Sequence, residues 1–464
     1  MKVTLVHPCI GRRVGQPYIR TWQMAPLTPA HLAGLTPEGV QVAFYNDSME
    51  PIPFDEPTDL VAMTVEAYTA KRAYQIASEY RKRGVPVVMG GIHATLCPED
   101  VAQYAESVVI GQAEELWETV LRDAERGTLQ TYYRAPARPD LSGFVPDRRI
   151  FGGKDYLPLA MVERGRGCQF QCDFCSVQSA YDHSYASRPI DDVVTELLTL
   201  KNSPLVFFVD DNITGNMAQA KEFLRALIPL KIRWVSQGSL NAAYDEEFLE
   251  LLRLSGCMGL LIGFESLNPE TLQKMNKTVN AVRPDFEEAL ANLRRYGIRI
   301  YATFVFGYDD DTPESFARTV KFALDHRFFM AAFNHLVPFP GTPLYRRLEA
   351  EGRLLYERWW MAEDYSFNQV PFRPLQMSPE ELELGCYGSR NAFYSLPSII
   401  RRGADRVNLS EGRMLFYYPM INLLSRHEVY QRHHFPLGDQ GWDGELIRVR
   451  ERTSPPSGAK KREG

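Results

Sequence analysis

Seven cysteines in 464 residues are too few, and too irregularly placed, to form a disulfide framework. No apolar run approaches the ~20 residues that a membrane-crossing helix needs. No basic start followed by a short apolar segment has the form of a signal peptide. Positive charge is also in short supply. Lys and Arg number 52 against 58 Asp and Glu, for a net charge of −6, and no basic stripe offers a footprint for nucleic acid. No internal repeat is evident, which excludes solenoid architectures. Together these absences predict a soluble protein of a reducing, cytoplasmic setting, with no nucleic-acid partner and no transmembrane segment. The length exceeds one ordinary core and predicts two or three domains.

The pattern that is present belongs to the α/β class. Val3 to His7, Val40 to Tyr45, Asp59 to Val65, Val85 to Gly91 and Ser107 to Ile110 are short apolar runs, with a helical stretch around Arg72 to Arg83. Near-continuous apolar strands separated by helices imply a parallel sheet covered on both faces. Residues 1–135 are therefore expected to form a doubly wound, Rossmann- or flavodoxin-like domain with its ligand at the carboxyl ends of the strands. A Pro-rich stretch from Pro136 to Asp147 opens a linker placed at 136–155. Six further strand–helix units follow over 156–345 and predict a partial (β/α)6 TIM-type barrel. Residues 346–450 read as a mainly helical, aromatic-rich cap over the substrate, and 451–464 as a disordered tail.

Within the barrel region Cys168, Cys172 and Cys175 stand as C-x3-C-x2-C. Thiolates are soft ligands suited to iron and sulfur, and three of them leave one iron of a four-iron cubane open. A structural zinc site normally takes four ligands, and His183 lies eight residues beyond Cys175, outside the usual short spacing. Cys9, Cys97, Cys257 and Cys386 are scattered and read as core or inert residues. The triad, with Phe174 before its last cysteine, resembles the radical S-adenosylmethionine (SAM) enzymes. That resemblance implies a 4Fe-4S cluster on the three cysteines. It also implies SAM chelated at the open iron, cleavage to a 5′-deoxyadenosyl radical, and a reducing partner such as flavodoxin or ferredoxin.

Polar residues recur where the barrel strands end: Asp210, Asp211, Gln237 and Glu265, then the turn at Gly307. Active-site groups gather at the carboxyl ends of strands in such barrels. The resemblance assigns them to SAM: Asp210 or Asp211 to its ammonium, Glu265 to the ribose hydroxyls, Gln237, Ser239 and Asn241 nearby, and Gly307 beside the adenine. Asp211 as a turn cap and Glu265 as an ordinary ion pair are the plain alternatives. Arg164 and Arg166 flank the cysteines, either to neutralise an anionic cluster or as surface residues.

A second resemblance lies upstream. Met89-Gly-Gly-Ile-His-Ala-Thr, then Gly111-Gln-Ala-Glu114, is similar to the cobalamin-binding domain that precedes many radical SAM domains. It implies cobalamin held by Thr64, Gly90, Gly91, His93, Gly111 and Glu114, the glycines allowing backbone to approach a flat corrin. No Asp-x-His-x-x-Gly is present, so a cobalamin without a lower histidine ligand is expected. The plain alternative makes these glycines tight turns and His93 a packing residue. Asn391-Ala-Phe-Tyr-Ser-Leu-Pro-Ser-Ile with Arg401-Arg402 resembles the C-terminal region of relatives that modify hydrophobic polycycles, such as hopanoid C-2 and chlorophyll-precursor methyltransferases. The implied function is a cobalamin-dependent radical SAM C-methyltransferase acting on an unactivated carbon of a hydrophobic, hopanoid- or tetrapyrrole-like small molecule. Radical SAM oxidation, cyclisation or rearrangement without methyl transfer is the second enzymatic reading, and a non-catalytic metal-binding scaffold the third.

Overall fold

Strands buried on both faces build the first layer. They are β1 (Lys2–His7), β2 (Gln41–Asn46), β3 (Leu60–Thr64), β4 (Val87–Gly90), β5 (Ser107–Ile110) and β6 (Tyr132–Arg134), all parallel in the order β2-β1-β3-β4-β5-β6. The order reverses at β1, the topological switch at which open α/β sheets bind ligands. Leu60, Val61, Ala62 and Met63 are all buried because helices cover both faces. The computed structural model describes residues 1–19, 21–136, 140–277, 280 and 286–449, so the tail expected at 451–464 lies outside the described residues.

The second sheet is also parallel. It comprises β7 (Ala160–Val162), β8 (Val206–Phe208), β9 (Trp234–Gly238), β10 (Cys257–Glu265), β11 (Arg299–Phe306) and β12 (Met330–His335), in simple order. Phe208, Trp234, Phe264, Phe304 and Phe333 face the surrounding helices and form one apolar core. Their alternates Met161, Phe207, Val235, Leu261 and Tyr301 face the concave side and keep partial exposure. A closed eight-stranded barrel fills its interior with such side chains; six strands leave an apolar trough.

The last hundred residues differ from the separate cap expected of them. The helix Pro379–Phe393 lies on the pairing-free side of β12, where Tyr394 Oη bonds to the backbone of Ala331 and Arg390 Nε donates to Phe333 O. Trp359, Trp360 and Tyr365 join the apolar cluster of the first domain, beside Ala73 and Tyr74. Gly438–Asp439 then pairs with Gly11–Arg12. Phe393 and Tyr394 join the core of the second sheet and Trp359, Trp360 and Tyr365 that of the first, so these aromatic residues extend two cores rather than forming a third. The expected linker is likewise packed: its short helix Arg148–Phe151 sets Phe151 against Phe44, with ring centroids 5.6 Å apart.

Candidate active site

The cysteine loop leaves β7 and is anchored by carboxylates from the end of the neighbouring β8. Asp210 Oδ1 accepts the backbone N–H of Arg164 at 2.8 Å, and Asp211 Oδ2 accepts that of Gly167 at 2.7 Å. Asp210 is fully buried and its Oδ2 has no partner among the described residues. Burial pushes its carboxyl up to about 7, against the lowering effect of Arg164. In this structure Asp210 braces the loop from behind; no surface of it is open to a ligand. Behind Cys172, Tyr308 Oη donates to Asp173 Oδ2 at 2.6 Å.

Among the described residues, the only three His, Cys, Asp or Glu ligand atoms gathered within 4.8 Å of one another belong to Glu383, His433 and His434. Cys168, Cys172 and Cys175 stand on one short loop as a donor set of soft thiolates alone, which suits iron and sulfur. All three thiols are free. Asn212 Nδ2 lies 3.8 Å from Cys168 Sγ and donates to Ser239 Oγ at 3.0 Å. Burial pushes the Cys172 thiol up to about 12, while Lys277 pulls it down. A cationic metal centre would reverse that balance.

Glu265 ends β10 in the left-handed region, at φ +62°, where the register with β11 shifts. A non-glycine residue there stores strain, a feature that concentrates at functional sites. The turn lays its carboxylate across Gly263 and against Lys277, whose Nζ lies 3.0 Å away. Burial alone would lower the Lys277 ammonium; Glu265 and the nearby thiols raise it. Lys277 is a site residue that sequence reasoning missed, because only the fold brings it back from twelve positions downstream. Gln237 and Ser239 are half-buried at the rim, with Gln237 Nε2 bonded to Asp210 O at 3.2 Å. Gly307 differs from expectation: a Cβ there would meet Leu382 at 2.4 Å and Phe372 at 3.1 Å. That glycine admits the helix Pro379–Phe393, and the space beside its Cα is not open for adenine.

Across from the cysteine loop lies a cavity of about 310 Å³, walled by the ends of β3, β4 and β5 on one side and by Glu163, Arg166, Tyr181 and Val209 on the other. Thr64, Gly90, Gly91, Gly111 and Glu114 all line it. Thr95 Oγ1 ties the two glycine turns, donating to Gly91 O at 2.9 Å and accepting from Gly111 N at 3.0 Å. His93 is a correction. It is buried away from the cavity, edge-on to Trp360 with centroids 5.2 Å apart, and its Nε2 lies 3.4 Å from Asp100 Oδ2. One position into a helical turn, the ring swings to the packed side and does not line the cavity. Glu66, which no motif marked, lines the cavity, as does His31. Burial holds His31 neutral, down at about 3. Glu66 is open to the cavity but enclosed by protein, which raises its carboxyl to about 7, with Asp211 adding to the rise.

Arg166 joins the two halves. Its guanidinium pairs with Glu163 at 2.6 Å on its own loop and reaches Glu114 at 2.7 Å and Gln112 at 2.8 Å on the first domain. It is neither a surface residue nor aimed at the cysteines. The orphaned His31 Nε2 and Glu114 Oε2 leave two unsatisfied polar atoms on the cavity wall. Together with the glycine turns they make a polar-rimmed cradle at the strand ends, with donors and bare backbone suited to the amide-bearing edge of a corrinoid, in a space smaller than the whole cofactor.

Comparison with known proteins agrees with this arrangement. The Radical SAM superfamily profile matches residues 162–323. The chain is 30% identical over 411 residues to the bacteriochlorophyllide d C-12(1)-methyltransferase of Chlorobaculum tepidum, covering 86% of this chain and 87% of that protein. It is 28% identical over 286 residues to the hopanoid C-2 methylase of Rhodopseudomonas palustris, covering 59% and 54% respectively. Its fold resembles that of the radical SAM methyltransferase TsrM from Kitasatospora setae, solved with cobalamin and a [4Fe-4S] cluster. The TM-score is 0.62 at 18% identity, over 93% of this chain and 98% of that one.

Proposed function

The chain belongs to the radical SAM superfamily, and from that premise we propose that it is a cobalamin-dependent C-methyltransferase acting on an unactivated carbon of a hydrophobic polycyclic small molecule. One observation carries the reading. The glycine-lined cavity at the ends of β3, β4 and β5 is closed on its other side by Glu163, Arg166 and Tyr181, residues that flank the three cysteines in the chain, and Arg166 bonds across it to Glu114. Two cofactor sites that must exchange with one substrate need this proximity.

In this reading Cys168, Cys172 and Cys175 hold the 4Fe-4S cluster, and Thr64, Gly90, Gly91, Gly111 and Glu114 hold cobalamin. Bound there, the cluster supplies the electron that cleaves SAM, and cobalamin supplies the transferable methyl group. The protein's residues do the positioning. Asp210 and Asp211 fix the backbone of the cysteine loop. Glu265, held by Lys277, presents a carboxylate to the ribose hydroxyls of SAM, with Gln237 and Ser239 at the end of the adjoining strand β9. The trough of Met161, Phe207, Val235, Leu261 and Tyr301 excludes water and takes the substrate's apolar body. A flavodoxin or ferredoxin in the cytoplasm serves as the electron donor.

Isotope labelling tests the proposal. Cluster-reconstituted enzyme with hydroxocobalamin, a one-electron donor and SAM carrying a trideuterated methyl group would be given bacteriochlorophyllide d, the substrate named in a relative. Transfer of the intact label to a product carbon is the expected result. SAM cleavage with an unlabelled, altered product would replace methyl transfer by oxidation, cyclisation or rearrangement. Undiminished SAM cleavage in the Cys172→Ala variant would remove the cluster assignment itself.

A further inference from the structure

The helix Met414–Gln431 buries Met414, Tyr418 and Val429 yet carries a second apolar stripe on its outer face. Its inward positions include Asn422 and Ser425, both buried, and Asn422 Oδ1 accepts from the buried Arg402 at 3.0 Å. Its outward positions are Leu415, Phe416, Tyr417, Met420, Leu423 and Tyr430, all exposed; Phe416 is 66% exposed. A surface helix normally buries its apolar stripe and turns its polar face to water. The neighbouring helix Leu396–Gly403, held against it by Tyr418 Oη donating to Ile399 O at 2.8 Å, adds Ile400 at 74% exposed. An unpartnered apolar surface of this kind marks an interaction site.

Charge identifies what covers it. The acids of this stretch are already engaged: Asp405 with Arg294 at 2.5 Å, Glu411 with Arg233 at 3.1 Å and Glu428 with Arg432 at 2.6 Å. Arg406 and Arg413 are exposed and make no ion pair among the described residues. Two copies meeting face to face about a twofold axis would bring these unpaired cations together with no free acid opposite. An anionic lipid surface offers apolar depth for the side chains and negative charge for the guanidinium groups at once. No helix among the described residues is long and apolar enough to cross a membrane, so the pair would lie on the surface rather than span it.

We infer that the outward faces of the helices Leu396–Gly403 and Met414–Gln431 seat the protein on an anionic lipid bilayer. This does not depend on the methyl-transfer reading. Cluster-loaded full-length protein should sediment with vesicles of phosphatidylglycerol and phosphatidylcholine at least tenfold more strongly than with phosphatidylcholine alone. The Phe416→Asp/Leu423→Asp double variant should reduce that binding at least tenfold while keeping its iron. Arg406→Glu/Arg413→Glu should abolish the preference for anionic vesicles, as should high salt. Three outcomes would overturn the inference: no sedimentation with either vesicle, equal sedimentation by the Asp double variant, or a dimer in light scattering that the Asp double variant dissociates. The last would make the surface an interface between copies of this chain.

Discussion

Arg166 Nη1 donates to Glu114 Oε1 at 2.7 Å, linking the strand that enters the cysteine loop to the glycine turn of the first domain. Both side chains are almost wholly enclosed, and Glu163 occupies the other edge of the guanidinium. The fork geometry of arginine allows it to hold both carboxylates at once, which a lysine ammonium cannot do in the same plane. Arg166 thus ties the cavity wall to the first domain through one side chain.

Arg166→Ala is expected to destabilise the protein by roughly 3–5 kcal/mol, because it leaves two buried carboxylates without a partner. Arg166→Lys should recover only part of that loss, and Glu114→Gln should cost less than Arg166→Ala. Urea unfolding of the three variants reads the order. A loss under ~1 kcal/mol in Arg166→Ala would mean that water, not protein, satisfies the carboxylates.

The adjacent glycines of the β4 turn should differ sharply. Gly91 has φ +101° and a Cβ there would meet the Val65 backbone at 2.8 Å and 2.9 Å, whereas a Cβ on Gly90 would meet Val109 at ordinary contact distances of 3.6 Å and 3.7 Å. Gly91→Ala is expected to lose retained cobalamin and about 2 kcal/mol or more of stability, from left-handed strain and backbone collision. Gly90→Ala is expected to fold normally. Retained corrinoid after desalting, with thermal unfolding alongside, separates the two.

Replacing Glu265 tests whether its strained turn serves SAM. Glu265→Gln is expected to raise KM for SAM at least tenfold with the iron content unchanged. It also leaves the Lys277 ammonium without its carboxylate, so some stability is lost. The double variant Glu265→Gln/Lys277→Met should restore stability and leave KM high, a split that a purely structural pair would not show.

Acid should weaken the fold through buried neutral histidines. Burial lowers His7 to about 4, His31 to about 3 and His335 to about 3. Each binds its proton more readily unfolded than folded. Their stabilising contribution is therefore intact above pH 6.5 and falls as pH drops from there toward 3–4. One pH unit inside that window costs about 1.4 kcal/mol per histidine at most. His335 has no partner on either ring nitrogen among the described residues, so His335→Phe should flatten the loss of stability between pH 7 and pH 5 by up to about 2 kcal/mol. An unchanged slope would show that water reaches the ring.

Much of the fold was legible in local pattern. Strands such as Leu60–Thr64 are apolar throughout because both faces are covered, and the three cysteines sit within eight residues, so their joint role needs no tertiary information. Thr64, Gly90, Gly91, Gly111 and Glu114 line one cavity because each ends or follows a strand of one parallel sheet, and such ends converge on one edge. The sequence by itself determined the two parallel sheets, the cysteine loop and the edge at which ligands gather, since these follow from periodicity and short spacing. Tertiary packing alone decided which way side chains near those edges point. His93 turns under Trp360, Asp210 becomes a buried brace, Lys277 returns to Glu265, and Arg166 spans the domains. Those outcomes depend on contacts between residues far apart in the chain, and on which polar groups find a partner once water is excluded.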